Sequence, residues 1–210
     1  MTHKHPENIW TLMWFKPRQA MRMVLNSPLS YHYHVLIIFG GIGQALSNAS
    51  AQGMGKLFST AQIITICLIL GPLSGYLSVL IGGWILKWVG DKLSGHGSLQ
   101  DLRRAIAWSW VPVVSTLPLW IVKWLLFRDE VFTIETPFID SQPVLRQLYD
   151  FIGFVDLVIG LWVLIILYNT VSEAHGFTLW KGVGTVILSG VLLMIPLLLM
   201  ISLCGLPVAM

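Results

Sequence analysis

Charge is what this chain has least of. Lys, Arg, Asp and Glu together make up 11% of its 210 residues, where a soluble domain carries roughly 25%. So little charge cannot cover the surface of a water-soluble globule, and 55% apolar residues point to lipid as the solvent. Cysteine is nearly absent. Cys67 and Cys204 both fall inside apolar stretches, so reduced thiols acting as small apolar groups are expected, with a disulfide or metal pair as the alternative. The first thirty or so residues hold no apolar core followed by a small-residue cleavage site, and a cleaved signal peptide is not expected. Catalytic signatures are missing too. There is no His-Glu-x-x-His, no Gly-x-Ser-x-Gly and no phosphate-cradling glycine loop ending in Lys. Gly40-Gly41-Ile42-Gly43 has no preceding strand to make it a nucleotide site. His3/His5 and His32/His34 lack a Cys or acid at ligand spacing, and helical i, i+2 residues diverge. His96 and His175 read as solvated loop residues. No catalytic residue, metal or cofactor is expected, and the chain is read as not an enzyme.

What the chain does have is five hydrophobic stretches, at 35–51, 61–90, 104–127, 148–172 and 183–205. Most reach the roughly 17–25 residues that cross about 30 Å of hydrocarbon, and only helices satisfy the backbone inside such a span. The expected fold is an all-α membrane protein: a five-helix transmembrane bundle over 35–210, preceded by a cytoplasmic interfacial segment over 1–34. Nine of the thirteen Lys and Arg fall on the side of the N-terminus, including Lys4, Lys16, Arg18, Arg22, Arg103 and Arg104. Lys56, Lys123, Arg128 and Arg146 fall on the other side, where Asp129, Glu130, Glu135 and Asp140 make the loop acidic. That asymmetry predicts an inner-membrane protein with a cytoplasmic N-terminus and, after five crossings, a C-terminus outside. Splitting the long stretch 61–90 at Gly71-Pro72 would undo the asymmetry, so it is read as one helix kinked at Pro72. Residues 9–25 read as an amphipathic segment on the membrane surface, with Trp14, Lys16, Arg18 and Arg22 contacting lipid headgroups.

Small residues mark where helices approach each other. Gly41, Ala45 and Ala49 recur at four-residue spacing in the first span, and Gly71, Pro72 and Gly75 cluster in the second. In the fourth, Gly153 and Gly160 share a stripe with Asp156, the only carboxylate deep in a span. Intramembrane charge costs about 2.5–3.5 kcal/mol on insertion scales, so it needs a partner. Gln44 and Asn48 share one face of the first span at similar depth. Gln44, Asn48 and Asp156 therefore form the candidate polar site. Either an interhelical hydrogen-bonded clamp or an ion, proton or solute site fits this pattern, with Gln44 the expected partner of Asp156.

Four short patterns add to this. They are Trp14-Phe15-Lys16-Pro17-Arg18, Gly71-Pro72-x-x-Gly75, Arg104-Ala105-x-x-Trp108-Ser109-x-x-Pro112, and His175-Gly176-Phe177 followed by Lys181. With five spans and an inside N-terminus, they resemble the prokaryotic branch of the Yip family, named for eukaryotic proteins that interact with Ypt/Rab GTPases. The resemblance implies a membrane organiser without catalytic residues. Eukaryotic members bind GTPases through a long N-terminal domain. Only about thirty residues precede the first span here, so GTPase binding is not carried over. The expected function is a scaffold or adaptor for membrane lipids, an unidentified protein partner or further copies of the chain, with no role for nucleic acid. The alternative is a small transporter, channel or lipid-moving protein that uses the polar site.

Overall fold

The computed structural model describes the backbone of residues 8–27 and 30–203, and the side chains of 8–27 and 32–195. The terminal residues holding His3, His5, Lys4 and Cys204 lie outside the described part. Among the described residues every regular element is helical. Two short helices, α1 (Ile9–Phe15) and α2 (Pro17–Leu25), meet at a corner on Lys16. Then come α3 (Ser30–Ala51), α4 (Thr60–Lys92), α5 (Leu99–Ser109), α6 (Val111–Phe127), the single turn α7 (Pro137–Asp140), α8 (Pro143–His175) and α9 (Leu179–Leu203). Three helical runs are long and apolar enough to cross a membrane: Thr60–Lys92, Leu99–Phe132 and Pro143–His175. Leu179–Ile195 is a shorter apolar helix.

Local chemistry sets these boundaries. Ser59 and Gln62 form a capping box that opens α4, and Ser98 and Asp101 form another that opens α5. The α4 helix runs unbroken for 33 residues with Pro72 inside it, about 50 Å at 1.5 Å per residue. The expected third span, 104–127, is divided at Trp110. Pro112 cannot donate a hydrogen bond, and its ring crowds the Trp108 carbonyl four residues back. The chain tightens there, with Trp110 N–H reaching Ala107 O at 3.2 Å. The α5 half is amphipathic and buries Leu102, Ala105, Ile106 and Trp108, while α6 is the apolar half.

The closest pairing is α3 on α4. A methyl group on Gly41 would strike the Gly71 carbonyl, and one on Gly75 would come within 2.6 Å of the Ile37 carbonyl. The two backbones touch there, as van der Waals association in lipid favours. Packing divides into two clusters. One, at the end where the 90–98 turn and the α8 C-terminus gather (here the basic end), holds Leu12, Met13, Met21, Leu36, Ile37, Leu102, Trp108, Val111 and Ile166. The other, at the acidic end, holds Ile42, Leu46, Ile63, Cys67, Phe127, Phe132 and Ile139. The apolar face of α2, expected on lipid, is buried in the first cluster through Ala20, Met21 and Val24. Phe151, Phe154, Leu157, Leu161 and Leu164 of α8 remain exposed.

Candidate functional site

Toward the acidic end, α6 packs on both α3 and α8 while those two make little direct contact. Between the three helices lies a cavity of about 430 Å³. Spacings of three and four residues turn Thr116, Trp120, Lys123 and Phe127 of α6 toward it. Gln44, Ser47 and Ser50 face it from α3, and Tyr149, Asp156 and Gly160 from α8. Its lining stops at Gly43, Val113 and Gly160. Beyond that level Gly40 sits directly under the Trp110 ring and Gly43 against Val113, so α3 closes on the α5–α6 run.

At the centre of the cavity Lys123 Nζ donates to Asp156 Oδ2 at 2.5 Å. The Lys123 side chain is 8% exposed, against 48% for Asp156. The ammonium also stands over the Trp120 ring, 4.3 Å from its centre, a cation–π contact that strengthens away from water. The cation is therefore the group whose burial must be offset, and Asp156 is its counter-ion. This replaces the expected Gln44 partner. The Gln44 amide instead donates along its own helix to Asn48 Oδ1 at 3.4 Å. Gln44 and Asp156 share the cavity, and Asn48 is not in its lining. Lys123, read from sequence as a cation flanking the membrane, lies within α6 four residues before its end. The deep carboxylate was the one signal that could have found it. Gly153 and Gly160, expected at a helix–helix contact, have nothing within 4 Å of where a Cβ would stand. They line the cavity because α8 buries residues mainly in its last third, at Ile166, Thr170, Val171, Ser172 and His175. Ala45 and Pro72 are half-buried.

A second polar assembly occupies the basic end. Trp162 Nε1 donates to the Trp14 carbonyl at 3.2 Å. Arg18 donates to the Phe177 carbonyl at 2.9 Å and stands 3.4 Å from Glu173, and Arg22 Nε donates to the same carboxylate at 2.7 Å. The Arg22 hydrogen bond, reinforced by Arg18, holds the Glu173 carboxyl below the usual range. Arg18 and Arg22, expected at lipid headgroups, thus tie the α1–α2 corner to α8, while Lys16 stays exposed. Gly176 takes the left-handed conformation at φ 70° that ends α8. Phe177 N–H returns to Ser172 O at 2.7 Å and Gly176 N–H to Glu173 O at 3.2 Å, a Schellman closure. That turn holds His175, which is 2% exposed rather than solvated. Gly97 N–H donates to its Nδ1 at 3.3 Å, so Nε2 carries the proton and faces Leu86 O at 3.3 Å. The ring stacks on Phe177 at 4.9 Å, and Gly90, Gly95 and Gly97 leave room for it and for nothing larger than hydrogen. Burial pushes its pKa down from 6.5. Among the described residues no group of three His, Cys, Asp or Glu is arranged to hold a metal.

Long apolar helices in several separate runs, with polar groups held between them, define a multi-pass helical membrane protein. Residues 10–201 match the family model of the Yip1 domain, and the chain belongs to the Yip family. No curated protein and no solved structure matches it.

Proposed function

We propose that this Yip-family protein spans the inner membrane five times, through α3, α4, the α5–α6 run, α8 and α9. Its basic end lies in the cytoplasm, and it works without catalysis as a scaffold or adaptor that holds membrane lipids or proteins together. The observation that carries this reading is the convergence at the basic end of the residues behind the family resemblance. Trp14 and Arg18 bond to α8 and to the turn after it. The Ala105 carbonyl accepts from Thr170 at 3.2 Å, and His175 and Phe177 stack within the same junction. These contacts cross-link α1, α2, α5 and α8 into one platform at the basic end, which suits a surface that presents partners. The packed basic-end core also argues against an open pore.

A second reading, a carrier of a small solute or lipid headgroup, is favoured by the Lys123–Asp156 cavity. Complementation of a deletion strain separates the two. Glu173→Gln weakens the clamp on α1–α2 and should impair a scaffold, whereas Asp156→Asn keeps an acceptor for Lys123 and should leave it intact. Photo-crosslinking from Lys16 should yield a discrete adduct that Glu173→Gln removes. A strain rescued by Glu173→Gln but not by Asp156→Asn would reverse the assignment in favour of transport. Asp156→Leu is uninformative for that choice, because stranding a buried cation costs about 3–5 kcal/mol in folding.

A further inference from the structure

A cleft of about 420 Å³ opens at the basic end between the start of α3 and the start of α5, lined by Tyr33, His34, Leu99, Gln100, Arg103 and Arg104. No carboxylate lines it. The acids nearby are already engaged: Asp101 is held on Ser98 at 2.6 Å, Asp91 on Lys87 at 2.8 Å, and Glu173 on Arg18 and Arg22. Among the described residues neither Arg103 nor Arg104 has an ion-pair partner. The Arg103 stem packs on Gly83 of α4, where a methyl group would come within 2.7 Å of its Cγ. Its Nε is buried and lacks a hydrogen-bond partner. A buried guanidinium N–H left unpaired costs free energy unless something else accepts from it. Gly83 adjoins Trp84, which is 63% exposed, and Trp88 follows one turn on. Exposed Trp residues on a membrane helix mark headgroup depth, so the cleft lies at the level of lipid phosphates.

We propose that this cleft binds a phosphate-bearing anion, with Arg103 and Arg104 as the charged donors and the phosphate of an anionic lipid headgroup as its natural source. Planar guanidinium groups match phosphate oxygens through paired N–H donors, and the Tyr33 hydroxyl and the His34 ring add polar groups at the rim. This site is distinct from the Lys123–Asp156 cavity and does not depend on the scaffold reading.

The test titrates the full-length protein in detergent with dihexanoyl phosphatidylglycerol, dihexanoyl phosphatidylcholine and inorganic phosphate, reading intrinsic Trp fluorescence and melting temperature. Arg103→Gln can disturb the Gly83 contact, so the deciding variants are Arg104→Gln and Gln100→Glu. Gln100 is exposed, and its replacement sets a carboxylate at the cleft without touching the core. Saturable phosphatidylglycerol binding weakened about tenfold or more by both variants supports the proposal with lipid as the source. The same sensitivity seen with inorganic phosphate supports the site with a soluble anion as the source. Equal binding of phosphatidylcholine, or phosphatidylglycerol binding that stays within twofold in both variants, overturns it.

Discussion

A histidine with both ring nitrogens bonded to backbone and no room around it behaves as a structural group with a titratable weakness. Burial favours neutral His175, while the unfolded chain takes up a proton near pH 6.5. Between that value and the lower folded pKa, the unfolded state binds more protons than the folded one. The stability contributed by the neutral ring is therefore complete above about pH 6.5 and is lost as pH falls through the folded value. Glu173 is held below its ordinary value of 4.5, so its contribution fades only at more acid pH. Asp91 and Lys87 beside the ring pair with each other, and exposed His96 acts on it as a neighbouring titratable group. The melting temperature in detergent should fall as the pH drops below about 6.5, and His175→Gln should flatten that slope while lowering stability at neutral pH. An equally steep slope in the variant would remove His175 as its cause. Nothing in the local sequence separates this ring from that of His96. Its burial follows from Gly90, Gly95 and Gly97, which lie about eighty residues earlier in the chain and meet it only in three dimensions.

The small-residue stripes behave differently on different helices. Gly75 on α4 meets the α3 backbone, so Gly75→Leu must push two helices apart. It should lower stability by about 1–3 kcal/mol, the usual cost of overpacking, read as a drop in melting temperature. Gly153 on α8 meets nothing within 4 Å. Gly153→Ala should be neutral or stabilising by up to about 1 kcal/mol through helix propensity. Equal losses in the two variants would mean that a further protein surface covers Gly153 in the assembled state. The spacing of small residues was legible in sequence on both helices. Which stripe faces protein was not, because α8 packs chiefly through its last third. The ends of α4 and α5 were closer to legible, since their capping boxes are local. The division at Trp110 could also have been read from Pro112, whose missing donor breaks the helical ladder.

At the scale of the whole molecule, labelling from either side decides which end faces the cytoplasm. Most of the described cations, including Arg18, Arg22, Arg103, Arg104 and Lys181, gather at one end of the helices, while Asp129, Glu130, Glu135 and Asp140 share the other with Lys56, Lys123, Arg128 and Arg146. In a Cys204→Ala background, His96→Cys should react with an impermeant maleimide only after the membrane is opened, and Ser141→Cys should react in intact cells. Both positions are exposed, and the remaining Cys67 is buried. Labelling of His96→Cys from outside would invert the orientation and move the arginine cleft to the other leaflet.

Composition and periodicity alone determined that this chain lives in lipid, that it is helical, and roughly where its helices run. Each of these follows from local requirements: a backbone with no water to bond to, apolar runs of membrane length, and caps built from neighbouring residues. Tertiary structure alone decided the pairings. Lys123 rather than Gln44 answers Asp156 because helix rotation brings α6, and not α3, within hydrogen-bond reach of α8. Arg18 and Arg22 meet Glu173 because the corner at Lys16 folds α2 onto α8. These contacts span from 33 to 155 residues of sequence. At such separations a partner is chosen by how rigid helices rotate and pack, which no local pattern encodes.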